Sequence, residues 1–146
     1  MKKIMRSLGV GSIALACVFV SGTSANAASA SGAKYNGCKN SVKVWRSGAK
    51  VYAQGKMTCD KKVRILRPAS AISSYKNGKL KDYNAPGQMG SCRWVKTCTS
   101  PKASLKATKG WDYRGSNSGT ASTGVPGEMD GWWPKRTQAH ATYKYR

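Results

Sequence analysis

The sequence predicts an all-β fold, a small antiparallel β-sandwich of Ig-like or similar type that is stapled by two disulfides. Three observations support this prediction. Apolar and polar residues alternate with period two in several segments, no window shows the apolar period of an amphipathic helix over three turns, and four cysteines follow the N-terminal segment. We expect a single domain of five to seven strands.

The first 27 residues have the three-part layout of a secretory signal peptide. A short cationic stretch, "MKKIMRS", precedes an apolar run, "LGVGSIALACVFVSG", and "TSANA" ends the segment in small residues. We predict cleavage after Ala27, which leaves one secreted β domain over residues 28–146. The apolar run is shorter than the roughly 20 residues that a membrane-spanning helix needs. An uncleaved anchor and a lipid-modified Cys17 are the alternatives to cleavage.

A β-hairpin is predicted in "SVKVWRSGAKVYAQGKMTC", which starts at Ser41. The turn falls at Gly48-Ala49, because a glycine suits the first central position of a type II′ turn. Cys38 and Cys59 then lie opposite each other, in phase with the inward-facing valines, and we expect them to form a disulfide on the core side. The same register sets Val44 opposite Ala53 and Trp45 opposite Tyr52.

Cys92 and Cys98 remain for the second disulfide. Four cysteines allow three connectivities, and we favour Cys38 to Cys59 with Cys92 to Cys98. Six residues of extended strand span about 20 Å, whereas the Cα atoms of bonded cysteines lie roughly 5.5 Å apart. The segment "CRWVKTC" is therefore predicted to be a loop or a tight turn.

Further strands are predicted by the same alternation. "KVRIL" is expected to form a third strand, and "KASLKAT" another. The dipeptide Asn77-Gly78 is a strong hairpin signal. The segment from Lys109 to Asp130 is rich in Gly, Ser and Thr and is predicted to be a long, mobile, exposed loop. The hairpin turn would set Tyr75 opposite Leu80 and Ile72 opposite Tyr83.

The chain ends in "GWWPKRTQAHATYKYR". From Gln138 the residues alternate, which predicts a half-buried closing strand with Ala139, Ala141, Tyr143 and Tyr145 inward. Two adjacent tryptophans in an extended chain point to opposite sides, so we expect Trp132 or Trp133 to be exposed or packed under the long loop. The tail resembles the ends of secreted bacteriocins of the lactococcin 972 type. The likeness covers about 16 residues and carries over no residue role.

The charge balance is extreme. Without the three basic residues of the signal, 23 of the 26 Lys and Arg residues remain against five acids, a formal charge of +18. A positive field of this size attracts polyanions and anionic surfaces. The predicted partners are anionic envelope polymers or lipid headgroups, an acidic protein is a further option, and nucleic acid is expected to bind only non-specifically.

Titratable groups for catalysis are scarce. The chain has one histidine, no paired-histidine metal spacing, no G-x-S-x-G elbow and no glycine-rich phosphate loop. We therefore predict no catalytic residues, no metal and no cofactor. A basic secreted ribonuclease that uses Glu128, Arg136 and His140 is the enzyme alternative.

The predicted function is that of a secreted, strongly cationic bacterial protein that binds anionic cell-envelope components, with a bacteriocin-like, antibacterial outcome. Dispersed basic residues and accessible rings suffice for such binding. A secreted inhibitor or matrix protein that docks on an acidic protein is the main alternative. The predicted binding residues are Trp132, Trp133, Lys135 and Arg136, joined by Arg93, Trp94 and Lys96.

Overall fold

The computed structural model describes residues 27–122 and 133–146, which form ten β-strands and one short 3₁₀ turn at Lys135–Thr137. The all-β class and both disulfides, Cys38–Cys59 and Cys92–Cys98, are confirmed. The predicted strand number of five to seven is too low. The strands are β1 (Ala27–Ser31), β2 (Cys38–Ser47), β3 (Lys50–Arg67), β4 (Ser70–Lys76), β5 (Lys79–Asn84), β6 (Cys92–Thr99), β7 (Ala103–Lys106), β8 (Trp111–Asn117), β9 (Thr120–Ser122) and β10 (Ala139–Tyr145).

The strands form two antiparallel sheets. Sheet A has the order β1-β2-β3-β6, with β7 and β9 also paired to β3, and sheet B has the order β10-β8-β4-β5. The long strand β3 organises sheet A, because each of its edges is shared by two partners. One edge pairs with β2 and then with β9, and the other pairs with β7 and then with β6.

The β2–β3 hairpin has the predicted register without a break. Cys38 pairs with Cys59, and the ladder runs to Ser47 opposite Lys50. Gly48 has a φ of 57°, the left-handed backbone that a glycine adopts at no steric cost. A two-residue turn fixes which side chains oppose each other, so the glycine position, together with the apolar alternation, sets this register.

The β4–β5 hairpin turns at Asn77 and Gly78, whose φ values of 51° and 74° are both positive. Tyr75 pairs with Leu80 as predicted. The predicted pairing of Ile72 with Tyr83 is wrong, because the register shifts between Ser74 and Tyr75. A β-bulge adds one residue to one strand, and this one moves Ile72 opposite Asn84.

The main core fills the space between the sheets. Gly115 of β8 allows close approach, since a Cβ there would lie 2.4 Å from Val44 Cγ2 and 2.9 Å from the Cβ of Ala53. As predicted, Ala139, Ala141 and Tyr143 of the tail are buried, and His140 is exposed. The main core comprises Val42, Val44, Val51, Ala53, Ile72, Ala103, Leu105, Tyr113, Ala139, Ala141 and Tyr143.

The predicted loop from Lys109 to Asp130 is wrong over its first part, where β8 and β9 form, and its part from 123 to 130 lies outside the described residues. The inward positions of β8 are Tyr113, Gly115 and Asn117. A tyrosine, a glycine and an asparagine give no apolar alternation. The strand therefore carries no signal of the period-two kind.

A second core, here called the disulfide core, lies where β3 bends. It contains both sulfurs of the Cys38–Cys59 bridge and Trp133, with Cys92 half-buried against it. Burial of the first bridge on the core side agrees with the prediction. The remaining members of the disulfide core are Met57, Val63, Leu66, Cys98 and Ala121.

The segment "CRWVKTC" is a hydrogen-bonded strand, so its prediction as a loop or tight turn is wrong, whereas the Cys92–Cys98 pairing is right. Both facts hold because the β3–β6 ribbon bends. Leu66 pairs with Cys92 and Met57 with Cys98, yet the two cysteine Cα atoms are only 5.8 Å apart. The register shift between Thr58 and Val63 takes up the extra residues of β3 at the bend.

Candidate anion-binding site

The described residues carry 23 basic side chains and three acidic ones. All the basic residues but Arg67 are exposed. Two ion pairs occur in this part of the chain, Lys34 with Asp60 and Arg146 with Asp112, and both are at the surface. Most of the positive charge in the described residues is thus open to an anionic partner.

The bend of β6 holds Trp94 in an unusual conformation. Its φ is 54°, which a bulky residue adopts only at a cost of about 1–3 kcal/mol. The neighbouring Cys92–Cys98 bridge closes this bend. Arg93, Trp94 and Lys96 are all exposed on it. Backbone strain of this kind is often found where a side chain must be presented for binding.

A concavity of about 200 Å³, here called the arginine cup, lies beside this bend. Three arginines line it from two strands. Its hydrophobic floor is Ile65, which is 9% exposed. The residues that line the arginine cup are Arg64, Ile65, Arg67, Arg93, Trp94 and Ser122.

Strand pairing explains why these residues meet. Ile65 of β3 pairs with Arg93 of β6 on one side and with Ser122 of β9 on the other. Directly paired residues of antiparallel strands project to the same face, so the three form a row across sheet A. Arg67 follows two residues after Ile65 and therefore shares that face.

Arg67 is the one half-buried basic residue among those described, and no carboxylate in the described ranges pairs with it. The hydroxyl of Ser122 is buried as well, and it has no hydrogen-bond partner in the described part of the chain. A bound anion would compensate both groups.

The aromatic ring of the cup differs from the other large aromatic cluster on sheet A. Trp45 stacks on Tyr52 at 5.6 Å between ring centroids, and the ammonium groups of Lys43 and Lys102 lie 5.9 and 5.7 Å from the Trp45 ring. That ring is half-buried and already contacts cations. Trp94, by contrast, is 66% exposed, so its ring is accessible to a ligand.

The residues predicted as the binding site separate in the structure. Arg93 and Trp94 come together in the arginine cup, while Lys96 is exposed but does not line it. Lys135 and Arg136 are exposed on the 3₁₀ turn. Trp132 lies outside the described residues.

Trp133 does not present an accessible ring, which corrects its assignment to a binding surface. It is 8% exposed and packs edge-on against Tyr35, with ring centroids 5.1 Å apart. Edge-to-face aromatic pairs of this kind stabilise a core. The ring therefore belongs to the disulfide core.

Arg64, Arg67 and Ser122 were missed by sequence reasoning. The stretch "KKVRILR" is a visible basic cluster, but its composition does not reveal which arginines meet Arg93. That depends on the bend in β3 and on the short strand β9, and neither has a sequence signal.

A second surface exposes apolar side chains at the edge of sheet B. Every residue of β5 is exposed, and Leu80 and Tyr83 are 58% and 59% exposed. Met89, which follows β5, is 54% exposed. The neighbouring basic residues are Lys76, Lys79 and Lys81. Exposed apolar groups among lysines are suited to an anionic membrane interface.

No group of three or more His, Cys, Asp or Glu residues in the described ranges is arranged to hold a metal ion. In the same ranges, no helix has the length and apolar character to cross a bilayer. Of the ribonuclease candidates, Arg136 and His140 are exposed and Glu128 lies outside the described residues.

No protein-family model matches the chain, and no curated protein or solved structure is similar enough to it to indicate a function. The resemblance of the tail to lactococcin 972-type bacteriocins therefore remains an expectation from sequence. The functional argument rests on the chemistry of the surface.

Proposed function

We propose that the protein binds anionic components of the bacterial cell envelope, either polymers or lipid headgroups, from outside the cell. The observation that carries this proposal is the excess of exposed basic side chains, 23 against three acids in the described residues. Two disulfides in one small chain are compatible with an extracellular protein.

Electrostatic attraction of this size is sufficient for binding. A basic residue close to an anionic membrane surface contributes about 1 kcal/mol, so six to eight residues that face the surface together give roughly micromolar affinity. Surface charges are screened over about 10 Å at 0.1 M salt. The affinity is therefore expected to fall steeply as salt is added.

Exposed apolar side chains favour a lipid interface over a purely polymeric partner. Leu80, Tyr83 and Met89 at the edge of sheet B and Trp94 at the arginine cup are each more than half exposed. Tryptophan and tyrosine rings are suited to the headgroup level of a bilayer. These side chains would add a hydrophobic contribution to the free energy of binding, which salt does not screen.

The test uses the secreted form of the chain, residues 28–146, with its disulfides intact. Sedimentation with phosphatidylglycerol vesicles, phosphatidylcholine vesicles and purified cell walls should show binding to the first and third but not the second. Added salt should weaken that binding. Failure to bind either anionic material at physiological ionic strength would remove the proposal.

Leu80→Asn separates lipid from polymer. The side chain is exposed, so the fold should tolerate the change, and the charge of the protein is unaltered. We expect weaker binding to vesicles and unchanged binding to cell walls. Ser47→Asn, at another exposed position, is the matched control and should alter neither.

We propose inhibition of competing bacteria as the outcome of this binding. A cationic protein that accumulates on an envelope displaces counterions and partners from it. A spot assay of the secreted form on a panel of bacteria tests this outcome. Clear zones that shrink when salt is added to the agar would support it, and growth up to the spot on every strain would contradict it.

A further inference from the structure

We propose that the arginine cup binds a phosphomonoester, a phosphate group with three free oxygens. The inference rests on the proposed function and names the anion that this one site prefers. It concerns Arg64, Arg67 and Arg93, with Trp94 at the rim and Ser122 beside the floor.

Charge favours a phosphomonoester over a carboxylate or a phosphodiester. Three arginines line this one concavity, and no carboxylate in the described ranges pairs with them. A carboxylate or a phosphodiester brings a single negative charge. A phosphomonoester carries about −1.5 to −2 near neutral pH, which matches three cations better.

The geometry of the hydrogen-bond donors also favours a phosphomonoester. Each guanidinium offers a rigid fork of N–H donors that suits two oxygens of a phosphate. Three forks supply more donors than the two oxygens of a carboxylate can accept, whereas the three terminal oxygens of a phosphomonoester can engage all of them. The unpartnered Ser122 hydroxyl is a further donor beside the floor.

Size limits the ligand to a small group. Pockets for drug-sized ligands occupy about 300–1,000 Å³, and the arginine cup has about 200 Å³. It admits one phosphate group rather than a length of polymer. The rest of the ligand, to which the phosphate is attached, would then extend out of the cup past Trp94, whose ring is 66% exposed.

The cup is held in place before any ligand binds. Arg93 and Arg64 are on neighbouring strands that are hydrogen-bonded to each other, and the Cys92–Cys98 bridge closes the bend beside them. Arg67 is half-buried as a residue, which restricts its rotamers. A site that is ordered in advance loses less entropy on binding.

The first experiment compares vesicles that contain phosphatidic acid, a phosphomonoester, with vesicles that contain phosphatidylglycerol, a phosphodiester, at matched surface potential. We expect roughly tenfold tighter binding to phosphatidic acid, the effect of one strong charge-assisted hydrogen bond. Methyl phosphate should remove this preference by competition, and dimethyl phosphate at equal ionic strength should not.

The variant carries Arg64→Gln, Arg67→Gln and Arg93→Gln together. Its control carries Lys106→Gln, Lys109→Gln and Lys144→Gln, which remove the same charge from exposed positions outside the cup. Both should bind phosphatidylglycerol equally weakly, and only the cup variant should lose the preference for phosphatidic acid. Arg67→Lys keeps the charge but not the forked donors of the guanidinium, and it should lose most of the preference for phosphatidic acid. Circular dichroism checks that each variant is folded.

A titration of the wild-type protein with methyl phosphate, followed by the indole signal of Trp94 in an NMR spectrum, tests the cup without any membrane. Saturable shifts that the cup variant lacks would support the proposal and identify the soluble anion as a sufficient ligand. If both triple variants retain the preference for phosphatidic acid, or if methyl phosphate leaves the spectrum unchanged, the proposal is overturned. The general attraction to anionic envelopes would still stand.

Discussion

The two halves of β3 differ in how regularly they pair with the neighbouring strands. From Lys50 to Cys59 the strand pairs with β2 without a register break, and its inward residues lie in the main core or the disulfide core. Beyond Thr58 its ladder with β6 shifts, the ribbon bends, and Trp94 opposite the second half has a positive φ. The regular half carries the stability of the sandwich, and the irregular half carries the arginine cup.

The difference teaches that regular pairing and site formation make conflicting demands on one strand. A straight ladder would send Arg64 and Arg67 to opposite faces. Both nevertheless line one concavity with Arg93, beside the bend of the ribbon. Local strain at Trp94 is the expected cost of that arrangement, and the second disulfide offsets it.

The largest effect is expected from Asn117→Ala, which attacks the regular half. The buried Asn117 amide donates to Asn40 Oδ1 at 3.1 Å and to the Ser41 carbonyl at 3.0 Å. Its oxygen accepts from the backbone N–H groups of Ala69 and Gly119 at 3.0 and 3.2 Å. The buried N–H of Gly119 and the part-buried N–H of Ala69 would both lose their partner, at about 1–3 kcal/mol each. We expect the free energy of unfolding in urea to fall by roughly 4 kcal/mol.

Ser118→Ala is the control for this change. Ser118 is the exposed neighbour of Asn117, and its replacement should alter the unfolding free energy by less than about 0.5 kcal/mol. Folded Asn117→Ala should bind anionic vesicles as the wild type does. A loss of binding by the folded variant would show that the contacts of Asn117 with Ala69 and Gly119 also hold the cup in place.

The two disulfides give the next effect, and each is the control for the other. Cys38 and Cys59 are 21 residues apart, and Cys92 and Cys98 only six. Loop-closure entropy predicts losses in unfolding free energy of about 3 kcal/mol for the first bridge and about 2 kcal/mol for the second. Urea unfolding of the two double alanine variants measures this.

The two disulfides should affect vesicle binding in the opposite order to their effects on stability. Removal of Cys92–Cys98 lets the bend relax, so affinity for anionic vesicles should fall. Removal of Cys38–Cys59 should leave the affinity of the folded protein unchanged. Equal affinities in the two variants would mean that the β3–β6 ladder alone holds the cup.

The regular half could be predicted from sequence because its signals are local. One glycine at position 48 and an apolar residue at every second position fix the β2–β3 register and, through it, the Cys38–Cys59 bridge. By contrast, β1 reads "AASAS" and β9 reads "TAS". Alanine and serine do not favour strands, and these segments become strands through their neighbours.

The site could be predicted only in part, because it depends on contacts between distant segments. Arg93 and Trp94 belong to a visible basic and aromatic cluster, but Arg67 joins them only because Ile65, two residues before it, pairs with Arg93. The adjacency of Trp132 and Trp133 predicts only that one of the two rings is exposed or packed under the long loop, and it gives no partner for Trp133. Its partner, Tyr35, lies almost the whole length of the domain away, and no spacing rule connects the two.

A smaller effect is expected from Trp94→Asn, which trades function for stability in the irregular half. Asparagine adopts the left-handed region far more readily than tryptophan, and the exposed ring contributes little burial. We expect the unfolding free energy to rise by about 1 kcal/mol and vesicle binding to weaken. Trp94→Ala, which keeps the backbone strain and also lacks the ring, should weaken binding without the gain in stability.

The smallest effect is expected from Asp60→Asn at the bend itself. Asp60 Oδ1 accepts a hydrogen bond from Lys34 Nζ at 2.7 Å, but the two side chains are 63% and 55% exposed. Exposed pairs of this kind contribute at most about 1 kcal/mol and less in high salt. We expect a loss of a few tenths of a kcal/mol in unfolding free energy at low salt. Because the variant also removes one of the few acids, its affinity for anionic vesicles should rise slightly, whereas a fall would mean that Asp60 positions the bend rather than merely pairing with Lys34.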